Sequence, residues 1–204
     1  MNNAIRNCAF IPLALFVASA AAKGPEFIPV QDLHPSHLGI TIEAPGSEGW
    51  LVAEERYKAG WRVMYRHEDK DDPSRTSGVF LKSDQYKKGR FSQDNGSLEQ
   101  LAHTVLKETR TPDNNQYTEK WAELARADVH GVEAWSMRIA WEERHNPNYP
   151  DAVLLMEVTQ VLMLHPQDPD KIISIAMSTR RRLEQEPLSA DALADSFVGA
   201  LRFE

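Results

Sequence analysis

The sequence predicts an α+β fold: an antiparallel β-sheet of about six to seven strands with two main helices. Three observations predict it. The second half of the chain alternates apolar and polar residues with period two over long stretches, as strands do. Two stretches, one opening at Ser97 and one at Ser189, carry apolar residues at helical spacing behind a capping residue. Strands follow one another through turns instead of alternating with helices, which is the order of an antiparallel sheet and not of a doubly wound parallel one. At 204 residues, 42% hydrophobic and 26% charged, the chain has the make-up of one ordinary globular domain.

Residues 1–22 read as a secretory signal peptide. Arg6 and the amino terminus make a weakly positive start, Ala9 to Val17 is apolar, and Ala18-Ser19-Ala20-Ala21-Ala22 supplies small residues for cleavage near Ala22. The apolar run contains Pro12 and is too short to span about 30 Å of hydrocarbon. Cys8 precedes that run, whereas a lipidated cysteine would follow it. Cleavage leaves 182 residues with 22 basic and 30 acidic side chains and no cysteine. Disulfides, a thiolate nucleophile and cysteine-containing metal sites are thereby excluded from the mature chain. The expected location is the periplasm or the exterior, as a soluble protein.

Residues 23–37 read as an extended, Pro-rich N-terminal segment, and 38–204 as a single domain. Leu38 to Glu43 alternates as a short strand and breaks at Ala44 to Gly49. Trp50 to Tyr57 and Trp61 to His67 form a hairpin through Lys58-Ala59-Gly60. Glu68 to Arg75 is a charged loop, Gly78 to Leu81 the next strand, and Lys82 to Asn95 a polar connection. The first helix has Ser97 as cap, Gln100 to complete a capping box, and Leu98, Leu101, Ala102, Val105 and Leu106 on one stripe. Pro112 ends it.

The strand Glu119 to Ala127 then turns near His130-Gly131 into a strand on which Trp135, Met137, Ile139 and Trp141 share a face. Ala152 to Leu164 and Lys171 to Thr179 form a second hairpin across Pro166 to Asp170. On the last strand Ile173, Ile175 and Met177 oppose the small Ser174, Ala176 and Ser178. The final helix starts near Ser189 and presents Leu193, Phe197 and Val198, and Arg202 to Glu204 closes as a short edge strand.

One resemblance emerges from this pattern. The strand Leu38-Gly39-Ile40-Thr41-Ile42-Glu43-Ala44-Pro45 followed by Trp50, a middle helix, long antiparallel strands and a closing helix running from Phe197 towards Phe203 resemble the Mog1/PsbP-like α/β/α sandwich domains. The His165-Pro166 turn and the strand ending Ser178-Thr179-Arg180 also look like exported bacterial proteins. The resemblance covers roughly residues 38–204 and implies a binding, assembly or accessory role without naming a partner. No functional residue carries over from it.

A net charge of -7 and a pI near 5.5 lack the basic excess that nucleic-acid binding requires. Phosphate-cradling glycine loops are absent, so no nucleotide cofactor is expected. His34 and His37 flank Pro35 without a partner at metal-binding spacing, and His67-Glu68 has Asp71 where a zincin needs its second histidine. Asp69, Asp71 and Asp72 lack the glycine and the distal glutamate of a calcium loop. Ser47 lies in a turn without the spacing of a nucleophile elbow. Glu142 and Glu143 are adjacent on a strand, point to opposite faces, and cannot flank one glycosidic bond.

What remains is a charged sheet face carrying Glu54, Arg56, Arg62, Arg66, Arg138, Glu142 and Glu157. It reads either as a solvated face with cross-strand charge pairs or as a docking surface. In the second reading Arg56, Arg62, Arg66 and Arg138 surround Trp50 and Trp61 as anchors. Arg180-Arg181-Arg182 is a second patch, or simply an exposed strand end. The expected function is an exported, soluble, non-enzymatic protein-binding or accessory protein with a partner in the bacterial envelope and no cofactor or metal. A periplasmic immunity or inhibitor protein and a metal-independent hydrolase whose residues converge only in three dimensions stand as alternatives.

Overall fold

The computed structural model describes residues 26–30, 36–37, 40–42, 49–57, 60–85, 95–110, 116–187 and 190–203. The leader predicted at 1–22, His34, Ser47 and Ser189 lie outside the described residues. In chain order the elements are β1 (Ile28–Pro29), β2 (Ser36–His37), β3 (Ile40–Ile42), β4 (Leu51–Tyr57), β5 (Gly60–Glu68), β6 (Thr76–Gln85), α1 (Asn95–Thr109), β7 (Tyr117–Val129), β8 (Val132–Glu143), β9 (Leu154–Leu164), β10 (Lys171–Arg182), α2 (Ala190–Ala200) and β11 (Leu201–Phe203). No helix among the described residues is long and apolar enough to cross a membrane.

Eight strands form one antiparallel sheet in the order β1-β4-β5-β6-β10-β9-β8-β7, and β11-β3-β2 form a small second sheet. The main sheet exceeds the expected six to seven strands partly because Ile28–Pro29, inside the predicted lead-in, pairs with Val52 and Leu51. After β6 the chain passes through α1 to the far edge. There β7 begins a meander that returns strand by strand until β10 lies against β6. The first turn of that meander is His130-Gly131, with φ of 54° and 82°. Two consecutive left-handed residues between paired strands match the twist of a tight hairpin.

Pairing with β10 explains why β6 outruns its predicted end at Leu81: Lys82 to Gln85 stand opposite Ser174 to Lys171. The first helix carries the predicted stripe but begins at Asn95, so Ser97 lies in its first turn.

Alternation along β5 sends Trp61, Val63 and Tyr65 to one face of the sheet and Arg62, Met64 and Arg66 to the other. On the first face, Phe197 of α2 and Ile40, Ile42 and Leu201 of the small sheet pack with Val63, Tyr65, Val79, Leu81, Ile173, Ile175 and Met177. On the second, Leu98, Leu101, Ala102 and Val105 of α1 pack on Trp135, Met137, Leu162 and Ile172. The result is three layers, with apolar clusters on both sides of the sheet. Each fully buried large side chain contributes roughly 1.5–3 kcal/mol through removal from water.

Candidate functional site

The six residues predicted to form a docking face do not converge. Trp50 and Trp61 are core residues, not exposed anchors: Trp61 is 0% exposed. Its Nε1 donates to Glu54 Oε1 at 2.7 Å. Trp50 is 7% exposed. Its ring centroid lies 5.4 Å from that of Phe197 and 5.4 Å from that of His67. The turn leading to it needs Gly49, whose φ is 93° and where a Cβ would meet the His67 ring at 3.3 Å.

The arginines are divided between the faces. Arg66 shares a ladder row with Gly78, Ser178, Val158 and Ile139, on the α1 side. Arg138 shares one with Thr159, Met177, Val79 and Tyr65, on the α2 side. Arg62 follows Arg66 in parity and is paired with Glu55, while Arg66 is paired with Glu68. Arg56 stands opposite Trp61 by backbone register, and its side chain lies outside the described residues. A single arginine surface is therefore ruled out by the register.

The second basic patch is built into the structure. The Arg181 side chain is buried, and one of its nitrogens donates to the carbonyls of Arg182, Leu183 and Gln185. Arg182 donates to Ser74 Oγ at 3.2 Å and lies 3.8 Å from Asp72. The Ser74 hydroxyl and amide, and then Gln185 and Arg182, hold the Asp72 carboxyl below its usual range. Asp72 is thus engaged at the β6–β10 end; the described residues contain no group of three or more His, Cys, Asp or Glu able to hold a metal.

Glu142 and Glu143 take opposite faces, as strand geometry demands. Glu142 meets Lys120 at 3.1 Å and Arg144 at 3.3 Å. Hydrogen bonding from Lys120 and Arg144 lowers its carboxyl below the ordinary value. Glu143 is 1% exposed. Its Oε1 accepts from Asn146 at 3.0 Å, Tyr117 at 3.1 Å and Gln116 at 3.2 Å. Burial, and then the charge of Glu143 and the bond to it, push the Tyr117 hydroxyl up to about 12. A phenol held protonated and donating to a carboxylate is a clamp between the start of β7 and the β8–β9 loop, and it offers no mobile proton near neutrality.

Two features missed by the sequence reading are left with unused binding capacity. The first is β7, the last strand of the sheet, which among the described residues pairs with β8 alone. A bulge falls between Glu119 and Trp121. From Trp121 to Val129 the register then runs unbroken, with no proline. Arginine–tryptophan pairs flank this edge on both faces: Arg138 lies 5.4 Å from the Trp121 ring centroid and Arg126 5.6 Å from that of Trp135.

The second is an open cavity of about 520 Å³ at the turn where β7 ends, lined by His130, Val132, Pro166, Gln167, Leu201, Arg202 and Phe203. Beneath it, buried His165 packs edge-on to Phe203 at 5.9 Å. Its Nδ1 accepts from the Gln167 and Asp168 amides at 3.2 and 3.1 Å, which fixes the β9–β10 loop.

No protein-family model matches this chain, and no curated protein matches it in sequence.

Proposed function

We propose that the protein is an exported, non-enzymatic binding or accessory protein of the bacterial envelope that takes an extended segment of a protein partner as an added strand along β7. The observation that carries this reading is the edge from Trp121 to Val129, regular in register and, among the described residues, paired on one side only. Along such an edge alternate backbone N–H and C=O groups point away from the sheet. An incoming strand satisfies them, while side chains beside the edge select its sequence. Half-buried Trp121 beside Arg138 on one face, and exposed Arg126 held against buried Trp135 on the other, supply the partly polar contacts on the two sides of the edge.

The remaining polar architecture supports binding over catalysis. Glu143, Tyr117, Asp72 and Glu142 all spend their hydrogen bonds on holding loops and strand ends in place. The leader at 1–22 and a mature chain without cysteine support export to an oxidising compartment. A Mog1/PsbP-like sandwich, with helices on the two faces of an antiparallel sheet, fits the same role, and inhibition of another exported protein is one form it can take.

The test is capture from an envelope extract of the host with the purified protein, combined with backbone hydrogen exchange. Stoichiometric recovery of one protein, with exchange slowed at alternate residues of 121–129, is the expected result. A Trp121→Ala/Arg126→Glu variant should lose that protein and an Arg62→Ala/Arg66→Ala variant should keep it. Retention by the edge variant, protection elsewhere on the fold, or no captured protein would each overturn the reading.

A further inference from the structure

We infer that the cavity between the β7–β8 turn, the β9–β10 loop and β11 binds a small monocarboxylate with an apolar body. The cavity adjoins the end of β7 at His130, but none of residues 121–129 lines it, so the inference does not rest on the β7 edge. Volume comes first: about 520 Å³ is within the range of small-ligand sites, roughly 300–1,000 Å³. Composition follows. Val132, Pro166 and Phe203 give an apolar wall over the buried Leu201, whereas Arg202 supplies a permanent positive charge and no acidic residue lines the cavity among the described residues. In a chain of net charge -7, a cation set beside an apolar wall selects an anion with apolar substance attached.

Hydrogen bonding leaves that cation partly unspent. One terminal nitrogen of Arg202 donates to the carbonyls of Gly199 and Leu201, at 2.6 and 3.0 Å. Those bonds satisfy the end of α2 and orient the guanidinium. Its Nε and second terminal nitrogen have no partner among the described residues, and together they form the edge that pairs with a carboxylate through two parallel bonds. His130 is fixed in the same way, with Nε2 donating to the Val198 carbonyl at 3.1 Å across the rim. A single guanidinium at the rim of a cavity with an apolar wall suits one carboxylate better than a phosphate, which gathers several cationic donors.

The experiment is methyl-detected NMR titration of the purified protein with sodium octanoate, its neutral analogue octanamide, and N-acetyl-phenylalaninate. Expected are saturable shifts confined to Val132 and Leu201, with octanamide and the Arg202→Gln variant each about tenfold weaker than octanoate and wild type. Arg202→Lys keeps the charge but loses the two-nitrogen edge, so it should recover only part of the affinity lost in Arg202→Gln, which separates charge recognition from damage to the α2 terminus. Tighter binding of octanoate would mark a fatty-acid type of ligand, and tighter binding of N-acetyl-phenylalaninate a peptide carboxyl terminus. Equal binding of octanoate and octanamide, an unaffected Arg202→Gln variant, or no saturation by either carboxylate up to about 10 mM would overturn the assignment.

Discussion

Phe197→Ala tests whether α2 owes its place on the sheet to one side chain. Phe197 is 0% exposed. Its ring stands 5.4 Å from Trp50 in an edge-on contact and 5.2 Å from Tyr65. Truncating a buried phenylalanine costs about 3–5 kcal/mol, the sum of lost transfer energy and the cavity left behind. Two aromatic contacts, each worth about 0.5–1.5 kcal/mol beyond area, place the expected loss in the upper half of that range. Alanine is the better helix former, so helix propensity works against the effect and cannot produce it. Against a total stability of about 5–15 kcal/mol, the loss should be plain in urea unfolding: with a slope of about 2 kcal/mol per molar, the midpoint falls by about 2 M. Near-ultraviolet circular dichroism should lose intensity from Trp50 and Tyr65. Val198→Ala, at a half-buried neighbour on the same helix, should cost about 1 kcal/mol. A loss below about 2 kcal/mol for Phe197→Ala with an unchanged slope would mean that α2 is not packed as described.

Two further outcomes follow from the ionisable groups. The Tyr117 hydroxyl is raised from 10.0 to about 12, so the folded state holds that proton more tightly than the unfolded chain. Its contribution to stability is complete below pH 10 and is lost as the pH rises towards 12. A tyrosinate absorbance titration of wild type minus Tyr117→Phe should show the missing phenol ionising near the upper value, and ionisation near the ordinary one would contradict the Glu143 clamp. On the acid side, Asp72 and Glu142 lie below their ordinary values of 3.8 and 4.5, so the unfolded chain binds the extra protons. Their contribution is present above those values and disappears as the pH falls through the lowered ones. Urea midpoints at about pH 6 and about pH 3 should differ less in Asp72→Asn than in wild type, and an identical difference in the two proteins would remove Asp72 from this account.

Local pattern made much of the fold readable. The stripe on α1, the period-two runs and the His130-Gly131 turn are all properties of neighbours in sequence. Which face a residue occupies is not. Trp61-Arg62-Val63-Met64-Tyr65-Arg66 alternates whether one face of the sheet is covered or both, and here apolar clusters lie on both. Arg138 is set opposite Arg62 and Arg66 by pairings that join β5, β6, β10, β9 and β8 through a crossover at α1, and no local signal encodes them. Trp50 and Trp61 fit an anchor or a core equally well in sequence. Packing with α2 and the small sheet, much of it contributed by Phe197 and Leu201 well over a hundred residues later, decides for the core. The cavity was hidden for a related reason: its lining comes from two turns and the last strand, each unremarkable alone.

The ladder between β6 and β10 has a consequence for the order of assembly. Ten residue pairs, Thr76–Gln85 with Arg180–Lys171, are the whole seam joining the β1-β4-β5-β6 half of the main sheet to the β7-β8-β9-β10 half. Each half is a run of local pairings that can close early, but the seam must wait for β10, and the covering α2 and β11 come later still. A growing chain therefore carries two incomplete sheets with open inner edges until its last few dozen residues are available. The complete eight-stranded sheet is therefore a late product of folding, set by connectivity alone. The same delay leaves the inner edge of β6 open to mispairing during synthesis, so refolding yield should fall with protein concentration more steeply than refolding rate.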